Sequence, residues 1–337
     1  MVEVWRGPLA ESAHFGVAAV ANARGEIIEG WGDTSLLTYP RSALKPVQAI
    51  ALVETGAEAA CGLTPRHLAL ACASHRGEPF QTDLVASWLA ALGLDQSALV
   101  CGSDVPADEA AAAAALLDGH PRQRLYHNCS GKHCGFLTVA RHRGWALEGY
   151  DRLEHPAQQF YLDVLSELMA GDARALPFGI DGCALPAAAL STGAMALLLA
   201  RFAEARAASP SRRKAIVAIH DAMRRHPEYL SGSGQPGVEL ARATQGRIIM
   251  KTGAEGFLTA YVPGQGLGIA LKIQDGEARA RVPALIAVLS ATGLLDENER
   301  RTLAHLAAPS VRNSTGAVVG RIQACDFAGA EDRVHAT

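Results

Sequence analysis

The sequence predicts a mixed α/β (α+β) protein: an antiparallel sheet drawn from both ends of the chain, covered by helices, with a helical lobe inserted between its strands. Turn-bounded apolar runs fill the first forty residues and return between residues 247 and 273. Between them, and again after residue 280, apolar residues recur at helical spacing. A composition of 49% hydrophobic and 19% charged residues over 337 positions supplies a core and excludes a disordered chain.

The elements follow in order. His14–Val20 and Glu26–Trp31 flank the turn-forming Asn22-Ala23-Arg24-Gly25 and read as a hairpin. Beyond Lys45-Pro46, the residues Val47, Ile50 and Ala51 continue as a helix, and 68–73 is a short apolar run ending at Ser74-His75. Helices are expected over 80–92, 109–117, 151–169 and 212–225, the last closing at His226-Pro227. The uncharged run 182–200 is broken by Pro186 and Gly193 and lacks aromatic anchors, so it reads as a buried helix behind a loop and not as a membrane span. Strands at 247–251, 257–262 and 267–273 are separated by glycine-rich turns, and helices resume over 281–294 and 298–307. The expected organisation is one catalytic unit over residues 1–330. Its sheet lobe spans about 1–75 and 240–330, its helical lobe about 76–239, and a frayed tail covers 328–337.

A formal charge of −3 excludes the basic excess that nucleic acid or an anionic membrane would require. The N-terminus has Glu3 and no apolar leader, so the expected location is the cytoplasm and the seven cysteines are expected reduced or metal-bound. Of 31 basic residues only five are lysines: Lys45, Lys132, Lys214, Lys251 and Lys272.

Ser42-Ala43-Leu44-Lys45 is an S-x-x-K motif. At a helix start its hydroxyl and amine would share one face, in a field that favours developing negative charge. Lys45 could take the Ser42 proton only as a neutral amine, and several lysines gathered at one site would favour that form by repulsion. Lys251-Thr252-Gly253 on a late strand completes a layout like that of the penicillin-recognising serine hydrolases, with Tyr126-His127-Asn128 the nearest match to their middle motif. The segment His127 to Cys134 holds two Cys, two His and a Lys, with Cys183 following Asp181-Gly182 downstream. Thiolates and imidazoles are donors that zinc selects, but without a C-x-x-C pair the segment reads equally as buried thiols in a donor-rich loop.

Taken together, several segments resemble the rhizobial-type (class 3, thermolabile or constitutive-type) bacterial L-asparaginases. They are 41–49, 71–75, 128–133, 181–186, 226–228, 251–256 and 268–276, in family order over roughly residues 5 to 320. The resemblance implies a β-lactamase/glutaminase-like fold, a homodimer, and hydrolysis of L-asparagine to L-aspartate and ammonia. It implies two Ser-Lys pairs, Ser42 with Lys45 and Ser74 with Lys251, and a zinc ion held by Cys129, Lys132 and Cys183. Ser42 is the expected nucleophile, and zinc an element of structure or affinity. Arg41, Asp181 and Glu255 are expected to meet the substrate's charged head group. The chain departs from the family at Gln235-Pro236-Gly237, beside that expected head-group loop, and Lys272 has no assigned role. Two other readings remain: a glutaminase or other Ser-Lys amidohydrolase on the same fold, and a zinc-binding or redox-sensing protein without activity.

Overall fold

The computed structural model describes residues 1–207 and 209–325, and the tail 328–337 that the sequence marks as frayed lies outside the described residues. The chain divides into two compact units. The first holds Met1–Ala43, Leu190–Glu204 and the chain from Glu239 onward; the second holds Leu44–Ala189 and Ala205–Val238.

The first unit is the sheet unit. Its five-stranded antiparallel sheet contains β3 (Gly16–Asn22), β4 (Ile27–Trp31), β9 (Ile249–Thr252), β10 (Phe257–Val262) and β11 (Leu267–Ile273), in the order β4-β3-β11-β10-β9. The hairpin and the three late strands thus form where their turn residues place them. Two short pairs also form, β5 (Leu37–Thr38) with β8 (Leu190–Ser191) and, in the second unit, β6 (Phe178–Ile180) with β7 (Pro186–Ala188). A second, four-stranded sheet joins β1 (Val2–Arg6) and β2 (Leu9–His14) to β12 (Ser310–Arg312) and β13 (Val318–Ala324). The last two strands escape sequence reading because both are exposed or half-buried and carry little apolar signal.

Every residue of β10 is buried, so its pattern does not alternate. The reason is a helix on each face. Leu258, Ala260 and Val262 join Ile269, Leu271 and Ile273 of β11 in a core with Ala284, Leu285 and Val288 of the helix Ala278–Ala291. Residues of the opposite parity face the helix Thr192–Ala203, where Tyr261 meets Phe202 edge-on at 5.2 Å. That helix is the buried one expected within the uncharged run. Among the described residues no helix is long and apolar enough to cross a membrane.

The second unit is helical. Its centre is the helix Ser130–His142, in which every residue from Ser130 to Ala140 is buried. A helix thus stands where the sequence suggests a donor-rich loop; its Gly, Lys and His residues mask any apolar stripe. A Cβ on Gly131 would sit 2.4 Å from the Leu70 carbonyl oxygen, so this glycine lets the helix lie directly on the backbone of the helix Pro65–Ala71. The second helix then releases the chain into Ala73-Ser74-His75, beside the start of the first. The helix Pro210–Arg225 packs on Pro65–Ala71 and on Ile50–Glu54. Arg212 from it is bound at 2.8 Å to Glu54 and also pairs with Glu167.

Candidate active site

Lys45 opens the helix Lys45–Gln48, with Pro46 in the first turn where its missing N–H costs nothing. Its side chain is completely buried. The Nζ donates to the Ala73 carbonyl, to Ser74 Oγ at 3.2 Å and to the Asn128 carbonyl at 3.4 Å. Three oxygens therefore surround the amine, and only the Ser74 hydroxyl can also donate. Ser74 is held in place by its own N–H, which reaches the Leu230 carbonyl at 3.0 Å.

One residue beyond Asn128 lies a second cluster. Lys132 Nζ donates to Cys183 Sγ at 2.9 Å and stands 3.8 Å from Asp181 Oδ2. Cys129 and Cys183 are free cysteines; the Cys183 thiol also approaches Asp181 Oδ2 at 3.3 Å and hydrogen-bonds the Cys129 sulfur. That bond holds Cys129 well below the ordinary thiol range against the opposing effect of burial, with Lys45 and Lys132 adding to it. The same bond, then burial, pushes Cys183 up. Burial works against charge on Lys132, but Cys129, Cys183 and Asp181 outweigh it, so its pKa is raised. The mutual depression of lysines expected from sequence is thus reversed at Lys132, because Cys129, Cys183 and Asp181 favour its charged form.

Cys129, Lys132 and Cys183 therefore converge. Two thiols and an amine, dry and beside a carboxylate, are a donor set that suits zinc. Among the described residues no three of His, Cys, Asp and Glu gather in a group that could hold a metal. The remaining members of the segment do other things. Cys134 is buried and its thiol is pushed up by that burial. His133 bonds the Tyr150 hydroxyl at 2.8 Å.

In the sheet unit, Ser42 occupies the 3-10 turn Arg41–Leu44 and is half-buried. Gly253 explains how this turn meets β9: a Cβ there would lie 2.6 Å from the Pro40 carbonyl oxygen, so the Lys-Thr-Gly strand end and the Pro40-Arg41-Ser42 segment touch backbone to backbone. Lys251 is buried on β9, its Nζ 2.8 Å from the Thr252 carbonyl. Arg41 and Glu255 form an ion pair at 3.9 Å. Both have positive φ, +50° in each case, which costs a side-chain-bearing residue energy and is concentrated at functional sites.

Two groups gain roles that sequence did not assign. Lys272 Nζ binds the carbonyls of Glu255 at 2.7 Å and of Ile273, tying down the turn that follows Lys251-Thr252-Gly253. His75 is buried, with Nδ1 3.1 Å from the Gly77 N–H and Nε2 2.7 Å from Ser130 Oγ. Its place beside Ser74 was visible in the sequence, but its partner 55 positions away was not. Gln235-Pro236-Gly237 opens the helix Pro236–Ala243, which accounts for a proline at that point.

The profile of the family described as L-asparaginase II matches residues 2–324. No curated protein matches the sequence. Among solved structures the chain is similar to Mglu in its native form in 4.3 M NaCl, at 15% identity and a TM-score of 0.47, covering 86% of this chain and 63% of that one. It thus spans less than two-thirds of Mglu's length. It is also similar to a β-lactamase from Mycobacterium bovis, at 15% identity and a TM-score of 0.32, covering 87% of this chain and 95% of the other.

Proposed function

The chain belongs to the L-asparaginase II family, and from that premise we propose that it hydrolyses the side-chain amide of L-asparagine to L-aspartate and ammonia through a lysine-activated serine. The observation that carries the reading is the contact between the buried Lys45 amine and Ser74 Oγ. When Lys45 loses a proton its lone pair needs a donor. The two carbonyls around it can only accept, so the Ser74 hydroxyl is the proton source that this pocket offers.

Two assignments of the nucleophile compete, each with its own support. Ser42 stands three residues before Lys45, in the 3-10 turn that leads into its helix. In that version Ser42 attacks the amide carbon, Lys45 takes its proton, and Ser74, aided by Lys251, passes a proton to the departing ammonia. Ser74 has the observed contact with Lys45, and in the second version it attacks directly. In either, the tetrahedral oxyanion collapses to an acyl-serine, which water then hydrolyses. Arg41, Asp181 and Glu255 would meet the substrate's α-carboxylate and α-amino groups.

Zinc, when bound, would supply a fixed positive charge that orders the site and helps to hold substrate. Cys129, Lys132 and Cys183 would hold it, and Asp181 would steady Cys183. The reading includes a cytoplasmic homodimer, on the strength of the family resemblance, and light scattering on the purified protein tests the dimer.

The deciding experiment measures ammonia release from asparagine and glutamine side by side, then traps the acyl-enzyme and maps the modified peptide. Release from asparagine with an adduct on Ser42 or Ser74 supports the reading. Equal or faster release from glutamine moves the substrate assignment, and an adduct on neither serine removes the mechanism.

A further inference from the structure

We infer that His75 is a positioning residue for the Lys45–Ser74 couple, its imidazole clamping the segment that carries Ser74 onto the chain that leads into Cys129. The directions of its hydrogen bonds can be assigned from chemistry alone. The Gly77 N–H, 3.1 Å from Nδ1, can only donate, so Nδ1 carries no hydrogen. The ring is buried and next to the Lys45 charge, which favours the uncharged form; its hydrogen is then on Nε2 and is given to Ser130 Oγ at 2.7 Å. The Ser130 hydroxyl is thereby free to donate to the Leu125 carbonyl at 3.1 Å. Three directional bonds in series run from Gly77 through the ring to Leu125, with no polar atom of the imidazole left over.

The backbone repeats the connection. The His75 N–H reaches the Asn128 carbonyl at 3.3 Å, the same oxygen that receives Lys45 Nζ at 3.4 Å. The other two acceptors of Lys45 belong to Ala73 and Ser74, the residues immediately before His75. Two chain segments thus meet around one amine, and the imidazole is a side-chain bolt between them. A histidine serving only to fill the core would make no bond that fixes the register of a reactive hydroxyl. Without the ring, Ser74 keeps its own backbone bond to Leu230 but loses the tie to Ser130. A misplacement of about 1 Å at a reacting group is enough for a loss of about 100-fold in rate.

The inference rests on reading Lys45 and Ser74 as the proton-transfer couple. It is tested with His75→Ala, His75→Gln and His75→Asn in the full chain. Gln can restore the donor to Ser130, and Asn can restore the acceptor for Gly77. The expected result is a fall in kcat for asparagine of about 100-fold in H75A, with KM changed less than threefold, and recovery to within about tenfold in H75Q. Crystal structures of H75A and H75Q should show the Lys45 Nζ to Ser74 Oγ separation lengthened from 3.2 Å in the first and kept in the second. A folded H75A with kcat within threefold of the parent overturns the inference, as does an unchanged separation. Should H75A fail to fold, H75Q and H75N decide: a loss in H75N that H75Q largely avoids supports the clamp, and equal kcat in the two overturns it. Failure of the functional reading looks different, because the parent protein itself would then release no ammonia. In that case the separation in the variant structures alone decides the inference.

Discussion

Lys45 and Lys132 are two buried lysines of the helical unit with opposite surroundings. Around Lys45 stand oxygen acceptors from Ala73, Ser74 and Asn128, none of them formally charged. Around Lys132 stand two sulfurs and the Asp181 carboxylate, which raise its pKa despite burial. The difference teaches that burial alone does not set what a lysine does. At Lys132 the sulfurs and the carboxylate hold the amine in its charged form, whereas at Lys45 the acceptors are neutral oxygens, one of them a hydroxyl.

The largest effect is expected from Lys45→Met, which keeps the length of the stem and removes the amine. Loss of a general base should lower kcat by about 1,000-fold with a circular dichroism spectrum like the parent's. Kinetics that leave kcat within tenfold would end Lys45's role. Lys132→Met should do something else. In chelator competition it should weaken zinc binding by at least about 100-fold. In the metal-free protein it removes the buried cation that stands 3.8 Å from Asp181 Oδ2, so urea denaturation should show about 3 kcal/mol less stability. If K45M and K132M instead lost kcat alike and zinc alike, the two lysines would belong to one function.

Gly131→Ala acts on the packing between the two lysines' surroundings, because this glycine seats the helix of Lys132 on the helix that leads to Ser74. The added methyl would press on the Leu70 carbonyl. A loss of about 2 kcal/mol, read from the shift in denaturation midpoint, is expected. No measurable loss would show that the two backbones separate freely.

The smallest effect concerns pH. Burial first, and the Lys45 charge second, lower His75 from 6.5 to about 3, with Cys129 opposing and His127 adding slightly. The unfolded ring takes up a proton near pH 6.5 while the folded one does not, so this contribution to stability is complete above that pH. It is lost as pH falls toward 3. Between pH 6.5 and 5.5 the loss should be about 1 kcal/mol, and H75Q should lack it. Identical pH dependence in parent and H75Q would remove the effect.

Much of this was legible in the chain. Turn residues and apolar runs located the five-stranded sheet, and the scarcity of lysine singled out Lys45, Lys132 and Lys251 from a background of arginine. The exposed strands β12 and β13 were not legible, since their pairing owes little to apolar pattern. Nor was the helix Ser130–His142, whose burial on all sides removes the periodicity by which a half-exposed helix is recognised.

The sequence by itself determined which residues could do chemistry: hydroxyls, thiols and amines where arginine, which stays protonated, would have been inert. It could not determine who meets whom. Motif logic pairs Lys45 with Ser42, three residues away; the fold brings it against Ser74, 29 positions on, and brings Lys132 to Cys183 across 51. Such contacts depend on how closely two backbones pack, which Gly131 permits at Leu70 and Gly253 at Pro40. Local spacing encodes a helix face. Only packing selects the partner that face is pressed against, and with it whether a buried amine finds oxygen or sulfur.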